Sequence, residues 1–141
     1  MIVIIDASIA FKWIAIEPDS AAAVALIGNG NLVAPTLVLA EVGNALRKMM
    51  KRQQIVASIS FSDDLARLSQ LLDLQDERAD VPGALDLACM LDHSIYDCIY
   101  LAMAKRLDDV LWTADRKFAA KVRSSALSEH IRLLLEEGTG T

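Results

Sequence analysis

Residues 2–5, Ile-Val-Ile-Ile, form an unbroken β-branched run that stops at Asp6. A run with no polar alternation has no face to offer water. It fits a strand covered on both sides, as in a parallel sheet. Two more short apolar runs follow much later, Leu32-Val33-Ala34 and Val110-Leu111-Trp112-Thr113. Helical segments separate them. Strands alternating with helices argue for an α/β chain with a central parallel sheet between helical layers. At 141 residues and 54% hydrophobic, the chain can bury one aliphatic core. A single domain over 1–137 is expected, with 138–141, Gly-Thr-Gly-Thr, as a flexible C-terminal tail.

The segments between strands carry helix signals. Ala7 to Trp13 reads as a short helix, broken by Glu17-Pro18-Asp19. Asp19 or Ser20 is a cap for a second helix through Ile27. Gly28-Asn29-Gly30-Asn31 is a turn. A long helix is predicted from Thr36 to Gln53, with Val38, Val42, Ala45, Leu46 and Met49 as its core stripe. Residues 62–72 predict another, capped by Ser62, with Asp63 and Asp64 in its first turn. Its inner face is Leu65, Leu68, Leu71 and Leu72. The charged stretch Asp73–Asp80 has room for one brief strand. Further helices are expected from Pro82 to Leu91, from Ser94 to Leu107, and over Asp115–Val122. Ile131–Leu135 is the final strand candidate.

Four acids interrupt this apolar pattern. Asp6 ends the first run, and Glu41 is embedded in Leu-Val-Leu-Ala-Glu-Val. Asp97 opens Cys98–Ala104, and Asp115 follows the 110–113 run. Carboxylates avoid such places because an unpaired buried charge is costly. Singly, each has a local reading. Asp6 and Asp115 can cap helices, Ser94-Ile95-Tyr96-Asp97 reads as a capping box, and Glu41 can be a lone polar residue. Jointly, they share one explanation. Asp6 and Asp115 end parallel-type strands and so share one sheet edge, where open α/β sheets place their sites. Glu41 and Asp97 lie near helix starts that can flank that edge. Two bare carboxylates at 4 Å repel by about 4 kcal/mol at an effective dielectric near 20. Four together take up protons or bind cations, and hard oxygen ligands select Mg²⁺ or Mn²⁺.

Other chemistries are poorly served. No Ser-His-Asp or Cys-His arrangement offers a nucleophile. Cys89 and Cys98 have neither disulfide nor zinc spacing and read as small buried thiols. His93 reads as a helix-end residue rather than a ligand or base. Trp13 and Trp112 read as core. Ser8 and Thr113, beside Asp6 and Asp115, serve either local capping or the site. Arg47, Lys48, Lys51 and Arg52 either neutralise a helix C-terminus or track a phosphate backbone, as do Arg116 and its basic neighbours. The net charge of −5 argues against a generally basic nucleic-acid binder. No apolar stretch reaches the roughly 18 residues of a membrane span, and the N-terminal run lacks a signal peptide's basic start. A soluble, cytoplasmic protein is expected.

These acids lie in familiar surroundings. Ile4-Ile5-Asp6-Ala7-Ser8, with Phe11-Lys12-Trp13 and Glu17-Pro18, resembles the opening of PIN-domain proteins of the VapC toxin type. Leu39–Leu46, Ser94–Ala102 and Leu111–Phe118 resemble that family's second, third and fourth motifs, in order. The resemblance implies a three-layer α/β/α sandwich and Mg²⁺- or Mn²⁺-dependent cleavage of RNA. Asp6, Glu41, Asp97 and Asp115 match the family's metal-binding acids, and Thr113 a supporting hydroxyl. It also implies a homodimer and inhibition by a VapB-type antitoxin. Arg47, Lys48, Lys51 and Arg116 are the RNA-contact candidates. Cys98 stands where a small Ala is usual, and Trp112 where a small or β-branched residue is usual.

Two other classes compete with a ribonuclease. One is a PIN-fold module that binds nucleic acid or protein without cutting. Four clustered carboxylates speak against it. The other is a phosphoryl-transfer enzyme or receiver-like switch. Asp6 has no second acid at its strand end, and no lysine stands alone at a later one.

Overall fold

The computed structural model describes residues 1–53 and 59–135. In chain order the elements are β1 (Ile2–Ile5), α1 (Ala7–Ile14), α2 (Ser20–Val24), β2 (Asn31–Pro35), α3 (Leu37–Arg52) and α4 (Ile59–Leu71). Then come β3 (Asp73–Gln75), α5 (Val81–Leu91), α6 (Ile95–Leu107), β4 (Leu111–Thr113), α7 (Arg116–Arg123), a 3₁₀ turn at Ser128–His130 and β5 (Ile131–Leu133). The strands form one parallel sheet in the order β3-β2-β1-β4-β5. The α/β sandwich with a central parallel sheet is therefore as the apolar runs implied.

That order carries the functional consequence. The chain winds outward from β1 through β2 to β3, then crosses back and winds the other way through β4 to β5. Right-handed crossovers then put α1–α4 on one face and α5–α7 on the other. The packing agrees: α1 rests on α2 and α3, α3 on α4, and α5 runs along α6, which spans β1, β2 and β4. The winding reverses between β1 and β4, whose carboxyl ends open a crevice where the two layers part.

The core is aliphatic, as the composition requires. Ile4, Ile5, Val33, Val38, Val42, Leu46, Leu101, Met103 and Leu111 are fully enclosed, with Tyr100 and Phe118 the largest members. Trp13 and Trp112 pack at the core's margin. Gly28 and Gly30 both take positive φ, forming the expected turn. At Gly30 a Cβ would lie 2.3 Å from the Met1 carbonyl oxygen. Only glycine lets the chain pass there and start β2 beside β1.

Several local expectations change. Helix α2 ends at Val24 rather than Ile27, and the chain continues in tight turns. Asp19 makes no side-chain cap, because its carboxylate pairs with Lys12 Nζ at 2.9 Å. Helix α4 begins at Ile59, a turn before Ser62, so Ser62 is no cap and its first turn holds no acid. Phe61 packs on the core and carries the helix upstream; Asp64 instead pairs with Arg67 at 2.9 Å. Leu68 and Leu72, one turn apart, take the core face, leaving Leu71 exposed. Cys98 is buried but Cys89 is exposed. Helix α5 turns Ala84 and Leu87 inward, and two further residues rotate Cys89 to the outer side. Positions 138–141 lie outside the described residues.

Candidate active site

Asp6 leaves the end of β1 and becomes the N-cap of α1. Asp115 leaves β4 two residues past its end and becomes the N-cap of α7. Asp6 Oδ1 accepts from Ile9 N at 3.2 Å, and Asp115 Oδ1 accepts from Phe118 N at 3.0 Å. The capping roles that the sequence allowed are therefore present in both residues. The cap itself aims each carboxylate along the sheet edge. The positive ends of these helix dipoles face the same crevice.

Ser8 and Thr113 stitch the two strand ends together. Ser8 Oγ donates to Asp6 Oδ1 at 2.5 Å and accepts from Ala114 N at 2.9 Å. Thr113 Oγ1 accepts from Asp115 N at 3.1 Å and lies 3.4 Å from Ser8 Oγ. Asp6 N donates to the Trp112 carbonyl at 3.3 Å. The two hydroxyls thus hold Asp6 and Asp115 in a fixed relation.

Helix α6 supplies Asp97 from its first turn. Ser94 caps the helix by accepting from Tyr96 N at 3.2 Å, the second amide of the helix rather than the third that a capping box uses. The Asp97 carboxylate goes elsewhere: Oδ2 meets His93 Nε2 at 2.6 Å. Asp92, the left-handed C-cap of α5 at φ 49°, makes the bend that brings His93 there. Asp and Asn tolerate that conformation better than most residues. His93, Asp97 and Asp115 each offer one ligand atom, and all three atoms lie within 4.8 Å of one another. The reading of His93 as a mere helix-end residue is therefore incomplete.

Glu41 enters from the second turn of α3, half-buried, and accepts a 2.5 Å hydrogen bond from the Tyr100 hydroxyl. It feels the Asp97 charge, as does Asp6. Burial pushes the Asp6 carboxyl up to about 6; hydrogen bonds from Ser8, Thr113 and Ile9 pull it back, and Asp97 adds to the rise. Glu41 is also raised, chiefly by burial. Both acids hold protons more tightly than ordinary carboxylates because they are enclosed beside another negative charge. A divalent cation would relieve that repulsion, and the oxygen-rich donor set suits a hard ion. The residues present therefore fit a metal centre.

A cleft of about 730 Å³ opens beside the acids, lined by Ser8, Phe11, Lys12, Leu37, Glu41, Asn44, Lys48, Tyr96 and Asp115 among others. Of the four basic RNA-contact candidates, Lys48 lines it. Arg47 is exposed and its Nε reaches Asn44 Oδ1 at 3.5 Å. Lys51 and Arg116 are exposed and do not line it. Lys12, also at the cleft, is held by Asp19 and, at 3.4 Å, by Glu17.

The sequence reading passed over Tyr100 and set His93 aside. A signal existed for both. Tyr100 lies one turn after Asp97 on one helix, the only hydroxyl in the run Cys98–Ala104. His93 lies four residues before Asp97, close enough to meet it around the helix start.

The PIN domain family model matches residues 3–123, which takes in β1 through α7 and every acid described above. The chain belongs to the PIN-domain family. Within that family it is 38% identical over 92 residues to proteins named Ribonuclease VapC1 from two Mycobacterium tuberculosis strains. The match covers 62% of this chain, which spans about 65% of the length of those relatives. The PAE2754 protein of Pyrobaculum aerophilum has the same fold, with a TM-score of 0.67 over 86% of this chain and 87% of that one, at 24% identity.

Proposed function

We propose that this PIN-domain chain is a Mg²⁺- or Mn²⁺-dependent endoribonuclease, the toxin component of a VapBC-type toxin–antitoxin pair. The observation that carries the reading is the meeting of Asp97 and Asp115, from different helices, at the β1/β4 switch point, with Asp6 and Glu41 coupled electrostatically to Asp97. The similarity to the Mycobacterium tuberculosis proteins named Ribonuclease VapC1 supports the choice of RNA. The resemblance of the motifs to VapC toxins supports a VapB-type antitoxin, a homodimer and a cytoplasmic location. Among the described residues, no helix is long and apolar enough to cross a membrane.

Asp6, Glu41, Asp97 and Asp115 would hold the cation. When bound, such an ion lowers the pKa of an attacking water and neutralises charge developing on the phosphate. The chain's own residues do the positioning. Ser8 and Thr113 fasten Asp6 to the β4 end, and Tyr100 holds Glu41. The amino ends of α1, α6 and α7, which carry Asp6, Asp97 and Asp115, would add positive potential for an anionic substrate. Lys48 offers a cation in the adjoining cleft.

The test is incubation of purified protein with total RNA and Mg²⁺ or Mn²⁺, beside an EDTA control and the Asp97→Asn variant. Discrete products that require both metal and Asp97 are expected. Equal product from wild type and folded Asp97→Asn overturns the reading. Tight RNA binding without turnover in any metal transfers it to a non-catalytic binding module.

A further inference from the structure

Three groups, His93 from the α5–α6 bend and Phe118 and Lys121 from α7, gather on one side of Asp97. His93, in the bend between α5 and α6, stacks on Phe118 of α7 with ring centroids 4.7 Å apart. Its Nε2 lies 2.6 Å from Asp97 Oδ2. Its Nδ1 lies 3.4 Å from Lys121 Nζ, which donates to the Asp92 carbonyl at 2.5 Å. Proximity of His93, Asp97 and Asp115 would by itself nominate the imidazole as a metal ligand. The surroundings of Nδ1 argue otherwise.

A neutral imidazole carries one proton, and ligation through Nε2 requires that proton on Nδ1. Here Nδ1 faces an ammonium group, which donates and cannot accept. A proton on Nδ1 would point at a positive charge. The ammonium is kept in place by the Asp92 carbonyl, on the residue before His93. The favoured tautomer therefore carries its proton on Nε2, aimed at Asp97. Phe118 holds the ring in the plane that aim requires.

We propose that His93 is a positioning residue for Asp97. It donates from Nε2 to Oδ2, with its tautomer set by Lys121, and does not coordinate the metal. The inference rests on the nuclease reading for the role of Asp97. The donor would orient the carboxylate and leave the other oxygen to face the ion, the usual effect of a hydrogen bond on a metal-ligating group.

The test uses the full chain, with Mn²⁺ as the probe. Two-bond ¹H–¹⁵N correlation spectra of the metal-free protein should show the His93 proton on Nε2. Hyperfine spectra of the Mn²⁺-loaded, ¹⁵N-histidine-labelled protein should show no directly bonded nitrogen. His93→Leu keeps an apolar contact to Phe118 but removes the donor, and should weaken Mn²⁺ binding about 10- to 100-fold. His93→Gln restores an N–H donor and should recover most of that loss. A directly bonded imidazole nitrogen overturns the inference alone, as does unchanged Mn²⁺ affinity in His93→Leu. Wild-type protein that binds no Mn²⁺ or Mg²⁺ overturns the nuclease reading and takes this inference with it.

Discussion

The Tyr100 hydroxyl donates to Glu41 Oε1 at 2.5 Å, joining α6 to α3 across 59 positions of the chain. Tyr100 is fully enclosed, and burial together with the Glu41 charge pushes its phenol far above its ordinary value. The rise favours the protonated phenol, which is the donor form. Tyr100→Phe keeps the ring and removes the donor, leaving a half-buried carboxylate short of a partner. Urea denaturation at pH 7 should register a loss of about 1.5–3 kcal/mol, the usual range for a hydrogen bond to a charged group. Wild-type stability in this variant would mean that water satisfies Glu41 equally well.

Asp6 links stability to pH. Its folded pKa of about 6 lies above the ordinary value of 3.8. The native state therefore binds the proton more tightly than the unfolded chain. That contribution is complete below the ordinary value and is lost as pH rises through the folded one. It amounts to roughly 2.5 kcal/mol between pH 4 and pH 8 in metal-free protein. Asp6→Asn removes the term while its amide oxygen still accepts from Ser8 and Ile9. The variant should melt above wild type at pH 8 in EDTA and converge with it near pH 4. A constant difference across that range would contradict the assignment.

The two thiols should react at very different rates. Cys98 is enclosed, and burial with the neighbouring Asp97 charge pushes its thiol up to about 11. Cys89 is exposed on α5. A thiol-specific chromogenic reagent should titrate one equivalent in native protein and the second only in denaturant, since the thiolate is the reacting form. Two fast equivalents would show that α6 opens readily.

A fourth expectation concerns the far side of α6. Asp80 is buried and accepts two hydrogen bonds from Arg106, Nε to Oδ1 at 2.8 Å and an Nη to Oδ2 at 3.0 Å. Arg106→Leu leaves that carboxylate enclosed without its cation. The Arg106 side chain is 41% exposed, so water partly screens the pair. The loss should be about 2 kcal/mol, below the 3–5 typical of a fully buried pair. Thermal unfolding of the single variant and of Asp80→Asn/Arg106→Leu checks it; the double variant should recover part of the loss.

Much of the fold was legible because it depends on short-range pattern. The apolar runs at 2–5, 32–34 and 110–113 fit strands covered on both faces, and β1, β2 and β4 lie there. Helix ends were less legible. The start of α4 moved upstream of Ser62 because Phe61 packs on the core, and a cap-forming residue cannot outweigh that burial. Asp19 failed as a cap because Lys12 competes for its carboxylate from an adjacent helix.

The sequence by itself determined where the acids fall: after β1, after β4, and near the starts of α3 and α6. It did so because a charged residue beside an apolar run is visible without any coordinates. Only the tertiary structure decided that Asp97 meets His93 and Asp115, that Tyr100 meets Glu41, that Ser8 bridges to Ala114, and that Cys89 faces outward. Hydrophobic periodicity reports which side of an element is buried. Which distant side chains meet there depends on the order in which the strands assemble, and the reversal between β1 and β4 brings residues about a hundred positions apart within hydrogen-bonding distance.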